Sequence, residues 1–310
     1  MTAFRFGVIC SGPPRDDRWT AWARELHDLG YGALALTDHV DGQYAVGPAL
    51  AAAFHVAPGM RFASLVHNAE MYPPVLLARE ALTLAHLSGG RFELGLGAGW
   101  NPADFARAGL PFRPFGERLE RLEETLRILR LCFAGGPFQF AGAHFSVVAD
   151  VAPAPPAPAA GPPPVLVGGG TRRVLELAGA YADTVSVNPR LGGSSVSRSA
   201  VAGNGGADTD RKLSWVRAGA GDRFDAITRS VSVYVVVRGD DPDRIARGLA
   251  ARAGVDPVEI LENPHVLIGT PRQMCDTLQR RRDRWGFTQV VIDELRAQEL
   301  APVVAKLAGT

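Results

Sequence analysis

Short apolar runs alternate with helical periodicity along nearly the whole chain, and that alternation confines it to a parallel α/β architecture. Strands are expected at residues 4–10, 33–37, 61–66, 91–101, 165–167, 184–187, 230–237 and 288–293. Helical patterns fall between them at 17–29, 48–56, 73–87, 171–180, 242–253 and 271–285, with a short closing helix at 302–307. A further amphipathic helix carries Leu119, Leu122, Leu126, Leu129 and Phe133 on one face, after a loop at 102–116. Eight strands in this rhythm fit a (β/α)8 TIM barrel better than an open sheet, and such a barrel takes about 250 residues. The 310 residues therefore read as one domain, 1–310, with two insertions at 138–164 and 190–210. The first contains a hairpin-like FQFAGAHFSV and then PAPPAPAAGPPP, an extended connector. The second is rich in Gly, Ser and Ala without periodicity, and is expected as a surface loop over the site.

Composition removes several function classes. Hydrophobic residues make up 46% and charged residues 21%, the balance of a soluble globular enzyme. A net charge of +1 offers no purchase for nucleic acid or an anionic membrane surface. Cys10, Cys132 and Cys275 are odd in number and far apart, which argues against a disulfide framework and for a reducing cytoplasm. The start of the chain reads as a strand and not as a signal peptide. No run approaches the roughly 18 apolar residues of a membrane helix. The histidines form no HxH or HxxxH pair, so no metal is expected.

Three stretches can carry chemistry. Residues 91–101, RFELGLGAGWN, begin as an alternating strand and end in Gly95, Gly97 and Gly99, then Trp100. A strand that sheds side chains toward its C-terminal end makes room for something to approach its backbone, and ligands of parallel α/β proteins sit at that end. The stretch is not a dinucleotide fingerprint, because Trp100 stands where the third glycine belongs. Thr37-Asp38-His39 follows the second strand, where a histidine points into a barrel mouth and a neighbouring carboxylate can orient it. Gly168, Gly169, Gly170 and Thr171 run from a strand into a helix that opens with Arg172 and Arg173. Backbone N–H groups at a helix N-terminus form an anion site, with Thr171 as cap and hydroxyl donor. No GxxxxGK[ST] exists here, so the loop is not a P-loop.

Taken together, SGGRFELGLGAGWN, FGERLERLEETLRILR, DLGYGALALTDH, VLVGGGTRRVLELAGAYAD and VLIGTPRQMCDTLQRRRDRWGFTQVVI resemble the bacterial luciferase-like superfamily of flavin- and deazaflavin-dependent oxidoreductases. TDRKLSWVRAGAGDRF is most similar to the F420-dependent branch. The resemblance implies a TIM barrel, a flavin-type ring in its mouth, a small organic substrate and a homodimer. It places His39, with Asp38 beside it, near the hydride-carrying carbon of the ring. It places a non-proline cis peptide at Ser64–Leu65, Gly97, Ala98, Gly99 and Trp100 along the cofactor's edge, and Gly168 to Thr171 at its phosphate. Sugar-phosphate dehydrogenases of this branch carry a glutamate where Trp100 stands, and an indole cannot relay a proton. His39, Glu70, Tyr72 and His67 remain as proton donors, and Arg113, Arg118, Arg172 and Arg173 as cations for an oligoglutamate tail. The implied function is F420-dependent hydride transfer, with C=C or C=N reduction favoured. The alternatives are an FMNH2-dependent monooxygenase and a non-catalytic flavin-binding homologue.

Overall fold

The computed structural model of the chain describes residues 2–11, 18–189 and 203–310. In chain order its strands are β1 (Arg5–Cys10), β2 (Ala33–Leu36), β3 (Arg61–Ser64), β4 (His67–Asn68), β5 (Phe92–Gly97), β6 (Phe138–Ala141), β7 (Ser146–Ala149), β8 (Val165–Gly169), β9 (Thr184–Val187), β10 (Thr228–Val233), β11 (Val235–Arg238), β12 (Val266–Gly269) and β13 (Phe287–Asp293). Its helices are α1 (Trp19–Asp28), α2 (Val46–Ala53), α3 (Pro74–Leu87), α4 (Pro102–Arg107), α5 (Phe115–Ala134), α6 (Arg172–Tyr181), α7 (Gly206–Ala220), α8 (Pro242–Ala253), α9 (Pro257–Leu261), α10 (Pro271–Trp285) and α11 (Ala297–Leu307).

One sheet runs β3-β2-β1-β13-β10-β9-β8-β5-β4, and β3 also pairs with β5, so the sheet closes. Its members are the eight strands expected from the sequence, the 230–237 run with its first part only, together with the two-residue β4, and the fold is a (β/α)8 barrel. Pairings of β13 with β1 and β10, and of β5 with β3, β4 and β8, are parallel. The chain is organised as two compact units, Met1–Ile9 with Glu25–Ala33 and Gly168–Thr310, and Cys10–Arg24 with Leu34–Val167.

In the second of these units β2 and β5 are buried at every position, which is why they read as continuous apolar runs. Helix α5 buries Leu119, Leu122, Leu126 and Leu129, the face its periodicity marks. The hairpin β6–β7 is antiparallel, and Glu124 of α5 fastens its turn by accepting from the N–H groups of Ala143 and Phe145. Residues 102–107 are helical where a loop is expected. Asn101 caps that helix through its side chain and Pro102 occupies the first turn, so the local signal exists in the sequence.

The other unit departs from expectation in three places. The run at 230–237 divides at Tyr234: β10 stays in the barrel sheet, while β11 pairs with β12, a strand the pattern did not show. Behind β12 and α8 lies a small separate core of Ala246, Ala250, Ile260, Val266 and Ile268. Residues 206–210 of the expected second loop are the first turn of α7, where Asp208 and Lys212 pair across one turn. The rest of that loop, 190–202, lies outside the described residues, as do the turn at 12–14 and the expected helix start at Asp17.

Two histidines are sealed in the interior, one in each unit. Burial pushes His265 down to about 3, and burial also lowers His67 below its usual value against the opposing charge of Asp38. Both hold a proton less tightly in the folded protein than in the unfolded chain, where they take one up near pH 6.5. Unfolding therefore binds protons below that pH, and stability should fall as pH drops below about 6.5, for His265 down to about 3. Unfolding free energies from urea melts across that range should slope by up to about 1.4 kcal/mol per pH unit for the His265 ring, with a further contribution of the same sign from His67. A flat profile would mean that neither ring is shielded from solvent.

Candidate active site

Strand β2 ends at Leu36 and hands over to Thr37-Asp38-His39. The turn is fixed by Gln43, whose carbonyl oxygen accepts from the Thr37 hydroxyl at 2.7 Å and from the His39 N–H at 3.4 Å. His39 Nδ1 lies 2.6 Å from Oδ2 of Asp104, a residue from the first turn of α4. A carboxylate can only accept, so Nδ1 carries the proton and donates. Asp104 is itself buried, 3% exposed, and is anchored by the Val40 N–H at 3.2 Å and the Asn101 amide at 3.0 Å. The ring is therefore held by a carboxylate 65 positions away. Its Nε2 has no hydrogen-bond partner among the described residues, and the side chain stays partly open to solvent.

Asp38, expected to orient that ring, turns elsewhere. Its two oxygens accept from the Asn68 N–H at 3.1 Å and the Tyr72 hydroxyl at 3.0 Å. Burial first, and then the charge and hydrogen bond of Asp38, raise the Tyr72 phenol well above its ordinary value. His67 packs edge-on against Tyr72 with ring centroids 5.0 Å apart, and burial disfavours its protonated form. Glu70 is clamped between Arg113 at 3.0 Å and Arg121 at 2.7 Å. Of the four expected proton donors, His39 has a ring fixed by a carboxylate and a side chain still partly open to solvent, whereas His67 is sealed in the interior with Nδ1 lacking a partner among the described residues. Arg113 is likewise committed, to Glu70 and Glu117.

The end of β5 has a different occupant from the one its glycines suggest. A Cβ on Gly95 would collide with the Ser64 carbonyl, and one on Gly97 would sit 2.8 Å from the Val66 side chain. Gly99 has φ of +70°, and a Cβ there would lie 2.5 Å from the Asn68 amide oxygen. The chain itself fills the cleared space. Ser64 is wholly buried, and its hydroxyl both donates to the Gly95 carbonyl at 3.0 Å and accepts from the Gly95 N–H at 2.9 Å. Leu65 is buried too, and the non-proline cis peptide joins Leu65 to Val66, one residue beyond the expected Ser64–Leu65 bond. The Ala98 and Gly99 carbonyls accept from Arg118, which is buried beneath Phe112 at 4.2 Å and holds this turn in place. Trp100, by contrast, is 42% exposed and stands edge-on to His39, with centroids 5.7 Å apart and planes at 86°.

In the other unit Gly168–Thr171 leads into α6. Thr171 occupies the cap position but makes no capping bond, and its hydroxyl is buried with no partner among the described residues. The first N–H groups of α6 and an orphaned hydroxyl thus share one turn, which is the donor set an anion needs. Gly170 is required by the chain, since a Cβ there would meet the carbonyls of Asn188 and Pro189 at 2.5 and 2.6 Å. Arg172 is exposed and paired with Glu176 at 2.7 Å, while Arg173 is exposed. The same unit also has a cleft of about 500 Å³ beside Thr228 and Thr288, at the N-terminal ends of β10 and β13. None of the residues singled out from the sequence lines it.

Among the described residues no helix is long and apolar enough to cross a membrane. The family described as luciferase-like monooxygenase matches residues 4–284. A Mycobacterium bovis protein is 35% identical over 115 residues, which cover 37% of this chain and 38% of that protein. The chain thus spans well under half the length of the curated relatives it matches. Among solved structures, the coenzyme F420-dependent tetrahydromethanopterin reductase of Methanopyrus kandleri superposes with a TM-score of 0.75 at 18% identity, covering 99% of both chains. The FMN-bound oxygenating constituent of 3,6-diketocamphane monooxygenase from Pseudomonas putida gives 0.70 at 17%, covering 99% of this chain and 98% of that one. At such identities these structures speak for the fold, while the family match extends over most of the sequence. The chain belongs to the luciferase-like monooxygenase family.

Proposed function

We propose that this protein is a coenzyme F420-dependent oxidoreductase that moves a hydride between the deazaflavin and a small organic substrate, with reduction of a C=C or C=N bond favoured. The observation that carries the reading is the His39–Asp104 pair with Trp100 set against it. When bound, the deazaflavin supplies or accepts the hydride. The protein must then manage one proton, and His39 is built for that task. Asp104 fixes the ring's tautomer and orientation, leaving Nε2 to give or take a proton. Trp100 offers an exposed aromatic surface for packing but no proton. Gly168–Thr171 supplies backbone donors and the unpartnered Thr171 hydroxyl to a phosphate. Arg113 and Arg118 are engaged within the chain, so of the four arginines considered for an acidic tail, Arg172 and Arg173 are the exposed ones. The reading carries with it a homodimer working in the cytoplasm.

A second reading is an FMNH2-dependent monooxygenase. It is favoured by the description of the matched family and by the FMN-bound structural neighbour that covers the chain end to end. Cofactor titration separates the two. Trp100 is exposed beside His39, so a ring bound there should quench tryptophan fluorescence. F420 is expected to quench at micromolar concentration, and reduced F420 to be reoxidised anaerobically by an electron-poor alkene or imine. Quenching by FMN but not by F420, with oxygen consumption on reduction, would replace the first reading by the second.

A further inference from the structure

Lys212 is 1% exposed, a setting lysine occupies only when its ammonium is fully engaged. The ammonium lies 2.9 Å from Asp208 Oδ2 and donates to Asn204 Oδ1 at 2.8 Å and to the Asn188 carbonyl at 3.0 Å. The last of these bonds leads directly to the glycine loop. The Asn188 N–H donates to the Gly169 carbonyl at 2.8 Å, and the Asn188 and Pro189 carbonyls press against Gly170 where a side chain would be. Residues 188–189 are thus the backing of Gly168–Thr171, and Lys212 holds that backing. Its own position is set by helix packing. Helix α7, which carries it, meets α6 backbone to backbone, with Gly179 against Val216 and Ala220 and Gly219 against Glu176. The loop, its helix and the lysine behind it therefore form one continuous arrangement.

Burying an ammonium costs several kcal/mol before its partners compensate, and apolar replacements of buried ion pairs are often neutral or stabilising. Stability alone therefore does not account for a lysine here. We infer that Lys212 is a positioning residue that holds the Gly168–Thr171 loop in its anion-accepting shape, so that phosphate-bearing cofactors bind more tightly than their phosphate-free counterparts. This rests on the reading of that loop as a phosphate seat. Lys212→Met keeps the aliphatic stem, and Asp208 retains Arg211 as a partner, so the variant should fold. Should it not, Asn204→Ala removes one anchor and keeps the charge.

The test measures dissociation constants for FMN and riboflavin, and for F420 and its phosphate-free deazaflavin alcohol, on wild type and variants. The expected result is a loss of about tenfold or more for the phosphate forms, equivalent to about 1.4 kcal/mol, with the phosphate-free forms within about twofold. Equal losses for both forms, or no loss for either, would overturn the inference while the loop reading stands. A wild-type protein that does not prefer the phosphate forms would overturn the loop reading itself, and the inference with it.

Discussion

Exchanging His39 for alanine should lower turnover by roughly 10²- to 10⁴-fold, the range a positioned acid or base contributes, and should leave the melting temperature nearly unchanged. The ring is partly exposed and supports no core packing, so its loss opens no cavity. Asp104→Asn is the sharper companion. An asparagine side chain can accept from Nδ1 through its oxygen, but its amide can equally turn a donor toward the ring, so the tautomer is no longer fixed. Turnover should fall roughly 10- to 100-fold, as for other orienting partners of a functional histidine. Asp104 also anchors Val40 and Asn101, so this variant should lose some stability where His39→Ala does not. Stopped-flow hydride transfer with the titrated cofactor checks both. Near-normal rates in His39→Ala would make the pair structural and would leave the proton without an assigned donor.

How much of this was legible beforehand differs by level. The barrel strands show in the sequence because burial on both faces makes them apolar without interruption, as in Ala33–Leu36. His39 is legible from its place after such a strand. Its partner is not, because adjacency in sequence favours Asp38, while the fold delivers a carboxylate from 65 residues away. The clue was present in Asn101-Pro102, a cap followed by a first-turn proline, which sets Asp104 in the opening turn of a helix. Reading 102–116 as loop concealed it. Lys212 was hidden in the same way, since α7 begins inside a stretch whose glycines and serines suggest no helix. Tyr234 divides one apolar run between two sheets, and no local pattern records a change of pairing partner.

The glycines of β5 show the limit of residue type as a signal. A glycine announces that space is needed and is silent about what fills it. Gly95 was legible as clearance for a ligand, yet its Cβ position is taken by the Ser64 carbonyl, a backbone atom that cannot rotate aside. Gly95→Ala should therefore attack the fold before it touches any cofactor. Residue 95 pairs with Leu166 of β8, and its N–H and carbonyl both engage the Ser64 hydroxyl, so moving the strand breaks several bonds at once. Overpacking a buried site costs about 1–3 kcal/mol where neighbours can shift. Here they cannot without unpairing, and a loss of at least about 3 kcal/mol is expected, read as a lowered urea midpoint or a failure to accumulate folded protein. Gly248→Ala, in α8 with nothing within 4 Å of its Cβ position, is the control. It should gain roughly 0.5–1 kcal/mol from helix propensity. If Gly95→Ala instead melts like wild type and only weakens cofactor binding, the gap belongs to a ligand, and the packing of β3 against β5 is looser than the Ser64–Gly95 bonds require.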